Sequence, residues 1–251
     1  MHLSGNTILI TGGGSGIGRS LAEAFHAQGN QVIISGRRQT ALDAVTAANP
    51  GMQSLTLDIA SADAITAFAA EAIRRFPKLN VVVHNAGIMR PETVQAAPDY
   101  LATAEETIAT NLLGPIRLTA ALLPHLLAQP AATILTVSSG LAFVPMALTP
   151  TYSATKAAIH AYSMALRQQL QGTSTEVIEI APPYVQTQLM GEHQAIDPRA
   201  MPLGDFIAEV MQILAATPPV AEVIVERCRP LRFAAENGTF GAMFDMINGM
   251  H

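Results

Sequence analysis

The segment Thr11-Gly12-Gly13-Gly14-Ser15-Gly16-Ile17-Gly18 constrains this chain more than any other. It joins a five-residue apolar run, 7–11, to an Ala-rich amphipathic run, 17–28. The first run has the composition of a buried strand and the second spaces its apolar residues as a helix does. Glycine at such a corner permits positive φ and lets the backbone approach an anion closely. The helix start adds unpaired N–H groups and the positive end of its dipole. Gly12, Gly14, Ser15, Gly16, Ile17 and Gly18 are therefore read as a cradle for a phosphate-bearing nucleotide. A strand-turn-helix corner of this kind belongs in an α/β sheet.

The rest of the chain repeats that alternation. Strands are predicted at 7–11, 31–35, 53–57, 81–84, 133–138, 176–180 and 223–225, and helices at 17–28, 38–48, 62–76, 100–127, 151–171 and 203–215. Short apolar runs separated by longer amphipathic ones make a Rossmann-type, doubly wound parallel sheet of about seven strands, with helices on both faces. Connections are short, so residues 1–251 are expected to form one domain. Two stretches stand apart: 186–202, rich in Pro, Gln and Met, is expected to be a substrate flap, and 228–251 a C-terminal tail. In that tail Met243, Met246 and Met250 recur at helical spacing, which suits core or subunit packing.

The second strand ends in Ser35-Gly36-Arg37-Arg38. Dinucleotide folds commonly carry an acidic residue here, which accepts hydrogen bonds from the adenosine ribose and repels a 2′-phosphate. Two cations at a helix start oppose the helix dipole, and an anion meeting both would relieve that. Arg37 and Arg38 thus point to NADP(H), with NAD(H) the less favoured cofactor; on the alternative reading both guanidinia are merely solvated.

Tyr152 and Lys156 lie four apart on a predicted helix and share one face. An ammonium beside a phenol stabilises the phenolate and fits the tyrosine for acid-base work at neutral pH. Such pairs also arise by chance, but Ser139 stands thirteen residues before Tyr152, at the carboxyl end of a predicted strand where the cofactor crevice should open. Its hydroxyl is placed to hydrogen-bond a substrate oxygen, and Ser138 is its chemical equal.

The spacing of Gly12, Gly16 and Gly18, together with Ser139, Tyr152 and Lys156, resembles the short-chain dehydrogenase/reductase family. The resemblance spans about residues 3–187. It selects Ser139 over Ser138, and implies that Asn111 anchors a water linked to Lys156, whereas an isolated Asn111 would be an ordinary helix residue. It implies adenine contacts from Asp58 and Ile59, although Asp58 is also a natural helix cap. Asn85, Ala86 and Gly87 would line the cofactor, with His84 replacing the family's first Asn in a structural role. Pro182, Val185 and Thr187 would meet the nicotinamide carboxamide, with Pro183 at the usual Gly position. Many NADP-preferring members also carry a basic residue in the glycine loop, where this chain has Ser15. The 5–10 and 231–238 segments are similar to those of the DltE-type oxidoreductases in that family.

The expected activity is hydride transfer between NADP(H) and a small carbonyl or alcohol substrate, with a catalytically idle NADP(H) sensor as the rival. A net charge of -5 gives no footprint for nucleic acid or an anionic membrane. The charge-free stretch 118–155 is broken by Pro124, His125, Gln129, Pro130 and Gly140, which argues against a membrane span. One cysteine, Cys228, and seven scattered histidines supply no metal-ligand spacing, so no metal is expected and a reducing cytoplasm is the natural compartment. No G-x-S-x-G elbow points to a hydrolase. The apolar excess on 112–127 and 154–170, helices that form a subunit interface in the family, implies a homodimer or homotetramer.

Overall fold

The computed structural model describes residues 1–217 and 220–249; Met250 of the C-terminal methionine series lies outside them. Seven strands, β1 (Thr7–Thr11), β2 (Gln31–Gly36), β3 (Gln53–Thr56), β4 (Leu79–His84), β5 (Ala132–Val137), β6 (Thr175–Ile180) and β7 (Glu222–Val223), form one sheet in the order β3-β2-β1-β4-β5-β6-β7. Every pairing is parallel. The order reverses direction between β1 and β4, so a crevice opens beyond their carboxyl ends, where ligands of such sheets bind.

Two-residue periodicity sorts the strand side chains between two cores. Ile8, Ile10, Val32, Ile34, Val81 and Val83 face one side, where α1 (Gly16–Ala27), α2 (Gln39–Ala48) and a later helix over Leu203–Leu214 cover them with Leu21, Phe25, Leu42, Val45 and Phe206. Leu9, Ile33, Val82 and Ile134 face the other side. There α3 (Ala62–Arg75) supplies Ile65 and Phe68, and the helices over Gly114–Leu127 and Pro150–Gln169 supply Leu118, Leu122 and Leu166.

The predicted helix over 100–127 forms as one uninterrupted helix that widens midway. It runs as α4 (Leu101–Ile108), a wide π turn over Ala109–Leu113, and α5 (Gly114–Leu127). Pro115 accounts for the widening, since it has no N–H to return to the carbonyl of Asn111 four residues back. The sharp approach of α5 to the sheet also needs glycine: a Cβ on Gly114 would lie 2.6 Å from the Ile59 carbonyl oxygen.

The remaining helices are α6 (Pro150–Gln169), α7 (Glu192–Ala195), α8 (Leu203–Leu214), α9 (Arg229–Arg232) and α10 (Phe240–Asn248). Of these, α7 and α9 are absent from the sequence expectations, while α10 falls where Met243 and Met246 recur at helical spacing. The 186–202 segment closes on itself at its neck. Val185 and Met201 form a parallel bridge, Gln186 N–H donates to the Met201 carbonyl at 2.8 Å and Met201 N–H to the Tyr184 carbonyl at 2.8 Å.

Candidate active site

A single cleft of about 1200 Å³ follows the carboxyl edge of the sheet from the glycine corner to Tyr152. Its floor begins where β1 enters α1. Gly12 has φ +70°, and a Cβ there would come within 2.9 Å of the Ala86 backbone, so the corner closes only with glycine. Ser15 precedes α1 but makes no side-chain cap, and the first turn carries no acidic residue. The leading amides of α1 therefore face the cleft without a protein carboxylate or hydroxyl to satisfy them, the arrangement that receives a phosphate. Gly12, Gly14, Ser15, Gly16 and Ile17 line this end. Gly18 does not; it packs behind the corner against Gly12 and Asn85.

Arg37 and Arg38 line the adjoining wall with Asp58 and Ile59. Arg37 lies 3.9 Å from Glu106, a loose contact with a half-exposed partner, while Arg90 holds Glu106 in a two-pronged ion pair that keeps its carboxyl below the usual range. Arg90 also lines the cleft and was not foreseen, because nothing in the sequence pairs it with a residue sixteen positions away. Asp58 accepts from Ala60 N–H at 3.1 Å, so it caps a turn while bordering the cleft.

Asn85, Ala86 and Gly87 line the middle of the cleft, fixed from below. The Thr11 hydroxyl accepts from the Asn85 and Ala86 amides at 3.1 Å each, and Asn85 Nδ2 donates to the Thr11 carbonyl at 3.0 Å. His84 is buried beneath them. Its Nε2 pairs with the Thr119 hydroxyl at 2.9 Å, and burial pushes its pKa down to about 4, so the ring is neutral.

At the far end four predicted residues converge. Ser139 follows β5 with its Oγ accepting from Leu141 N–H at 3.1 Å, and it faces the Tyr152 phenol. Gly140 N–H donates to the Pro182 carbonyl at 2.8 Å, which ties the serine turn to the segment after β6. Tyr152 and Lys156 rise from α6, with the Lys156 ammonium 5.4 Å from the phenol ring centre and donating to the Val137 carbonyl at 2.8 Å. Asn111 sits in the π turn, one layer behind. It accepts from Ile88 N–H and donates to the Ile88 carbonyl, each at 2.9 Å, and reaches the Thr155 hydroxyl at 3.3 Å. Ser138 instead reaches only the Ile180 carbonyl, at 3.4 Å.

The electrostatics depart from expectation. Burial pushes the Tyr152 phenol up to about 12, with Ser139 opposing the shift, and pulls Lys156 down to about 8, with Glu179 opposing it. For the phenol, desolvation outweighs the opposing hydrogen bond from Ser139, so it holds its proton. Pro182, Val185 and Thr187 line the same end. Gln194, from α7, donates to the Val185 carbonyl at 2.8 Å and to the Thr187 hydroxyl at 3.1 Å, which fixes both.

The cleft fits an extended dinucleotide. Bare helix-start amides lie near two guanidinia at one end, and a buried phenol, hydroxyl and amine lie at the other. A metal has less to recommend it. Ligand atoms of His160, Glu179 and Glu222 lie within 4.8 Å of one another, but Arg232 already holds both oxygens of Glu222, at 2.7 and 3.2 Å. Among the described residues no helix is long and apolar enough to cross a membrane.

A family model described as short chain dehydrogenase matches residues 6–197. Over 251 residues the chain is 37% identical to an uncharacterized oxidoreductase DltE of Bacillus subtilis, covering 99% of this chain and 98% of that protein. It is 31% identical over 227 residues to an NADPH-dependent 1-acyldihydroxyacetone phosphate reductase of Schizosaccharomyces pombe, covering 89% and 72% of the two chains. Among solved structures, the closed form of a serine dehydrogenase complexed with NADP+ superposes with a TM-score of 0.78 at 26% identity, covering 86% of this chain and 92% of that one.

Proposed function

Since the chain belongs to the short-chain dehydrogenase family of oxidoreductases, we propose that it moves a hydride between NADP(H) and the carbon of a small carbonyl or alcohol, with Tyr152 as the general acid-base. The observation that carries the reading is the convergence of Ser139, Tyr152 and Lys156 at one end of a cleft whose other end holds Arg37 and Arg38. The glycine corner and the two arginines would hold the phosphates. Lys156, Val185 and Thr187 would hold the nicotinamide half, which when bound supplies or accepts the hydride. The NADPH dependence of the yeast relative and the NADP+ in the serine dehydrogenase favour the same cofactor.

In the reductive direction Ser139 donates a hydrogen bond to the substrate carbonyl oxygen and fixes its position. Tyr152 delivers its proton to that oxygen, completing the alcohol, and takes a proton back in the reverse direction. Lys156, whose amine lies beside the phenol ring, offsets the negative charge left on Tyr152. Asn111 keeps the Ile88 backbone in place beneath the reacting end.

The test is a panel of ketones, aldehydes and alcohols assayed with NADPH and NADH. Turnover preferring NADPH is expected. The Tyr152→Phe variant should lose about 10²–10⁴-fold in kcat while still binding NADPH, and Arg37→Ala should lose the cofactor preference. Tight NADPH binding with no turnover across the panel would instead identify a sensor.

A further inference from the structure

The proposed chemistry leaves unused a buried carboxyl on the strand next to Lys156: the lysine holds the Val137 carbonyl of β5, and Val137 and Thr136 pair in register with Ile180 and Glu179 of β6. Glu179, on β6, is fully buried, and its register neighbours are Thr136 on β5 and Glu222 on β7. Its Oε2 accepts from His160 Nδ1 at 2.8 Å, while its Oε1 has no hydrogen-bond partner. His160 stands one helical turn beyond Lys156 on α6, with its ring edge-on to Phe143 at 4.8 Å. A carboxylate removed from water without full hydrogen bonding is costly unless a cation compensates it.

The charged and titratable groups around Glu179 leave few candidates for that cation. From β7 comes Glu222, which Arg232 of α9 already holds at both oxygens, while Arg232 also binds Glu236 at 2.9 Å. From the turn before α9 comes Cys228, whose thiol burial pushes up to about 12, so it is neutral. Arg167, lower on α6, is engaged by the Val177 and Ala221 carbonyls at 2.9 Å each. Among the described residues, what remains is on α6: His160, a cation only when protonated, and Lys156. Glu179 raises the affinity of both for a proton.

We propose that Glu179 is a positioning residue for Lys156, its buried charge holding the amine as an ammonium against the pull of desolvation, with His160 sharing that charge. The inference rests on the reading in which Lys156 works as a cation beside Tyr152. It gives a role to the fully buried acid of β6, which keeps one bare oxygen, and to the imidazole that α6 places four residues after the lysine.

The chain has two lysines, Lys78 and Lys156, so lysine labelled with ¹³C and ¹⁵N gives two side-chain signals, one exposed and one buried. Their pH titration in the cofactor-free protein reads the Lys156 midpoint without any need for turnover. Glu179→Gln keeps the shape and an acceptor for His160 but removes the charge, and should lower the midpoint by about 1 pH unit or more. His160→Gln disturbs the same contact but leaves the carboxylate, and should not lower it. Glu179→Asp, with the charge on a shorter stem, should hold the midpoint near that of the wild type. An unchanged midpoint in Glu179→Gln, or an equal drop in the other two variants, would overturn the proposal and leave a merely structural pair. Should Tyr152→Phe retain full activity while the midpoint moves as stated, the proton-transfer reading fails and the charge coupling stands. The high-pH limb of kcat should move down with the midpoint.

Discussion

His84 shows how a single side chain can set the acid limit of the fold. Its imidazole is buried with Nδ1 unpartnered, and its pKa lies near 4 rather than at the ordinary 6.5. As pH falls the unfolded chain takes up this proton first. The stability tied to His84 is therefore complete above pH 6.5 and is lost progressively as pH falls toward about 4, by about 3 kcal/mol in all. Denaturant unfolding measured between those limits should show that slope, and His84→Asn, which has no titrating group, should remove it. The sequence motif located this residue and its structural role. It could not reveal the partner, because Thr119 lies thirty-five positions away.

The element that most affects the site is the long helix made of α4, the π turn and α5. The turn sets Asn111 against Ile88, and Gly114 lets α5 lean on the Ile59 carbonyl. Gly114→Ala should cost about 1–3 kcal/mol in denaturant unfolding and weaken NADPH binding, because Ile59 borders the cleft. A loss of stability with cofactor affinity untouched would show that the loop relaxes away from the site. The parallel sheet, its two faces and the positions of Ser139, Tyr152 and Lys156 were legible because strand alternation and motif spacing are local signals. The π turn was hidden, since 109–113 keep a helical pattern and only the Gly114-Pro115 pair hints at the widening. Glu179 went unseen for a similar reason: Glu176 and Glu179 both stand in β6, and no local signal tells the fully buried acid from the half-exposed one until the neighbouring layer is known. His160, four after Lys156, was the available clue.

At the scale of the whole molecule, Ile108, Leu113, Leu127 and Met164 on α4, α5, α6 and the π turn are 37–51% exposed. Apolar side chains left exposed on these helices favour a subunit contact. Light scattering should report a dimer or tetramer, and replacing Leu113 and Met164 together by Glu should shift it toward monomer without unfolding the sheet. A monomer at all concentrations in the parent protein would sink this expectation. The neck at Val185 and Met201 bears on a different property, the freedom of the family to diversify. Backbone bonds pin both ends of the intervening segment next to the sheet, and within it Gln194 ties back to Val185 and Thr187, so only residues that take no part in these ties can be rewritten without moving the cleft wall. On the proposed function, variation at those residues would reshape the wall met by the substrate while Ser139, Tyr152 and Lys156 stay in place.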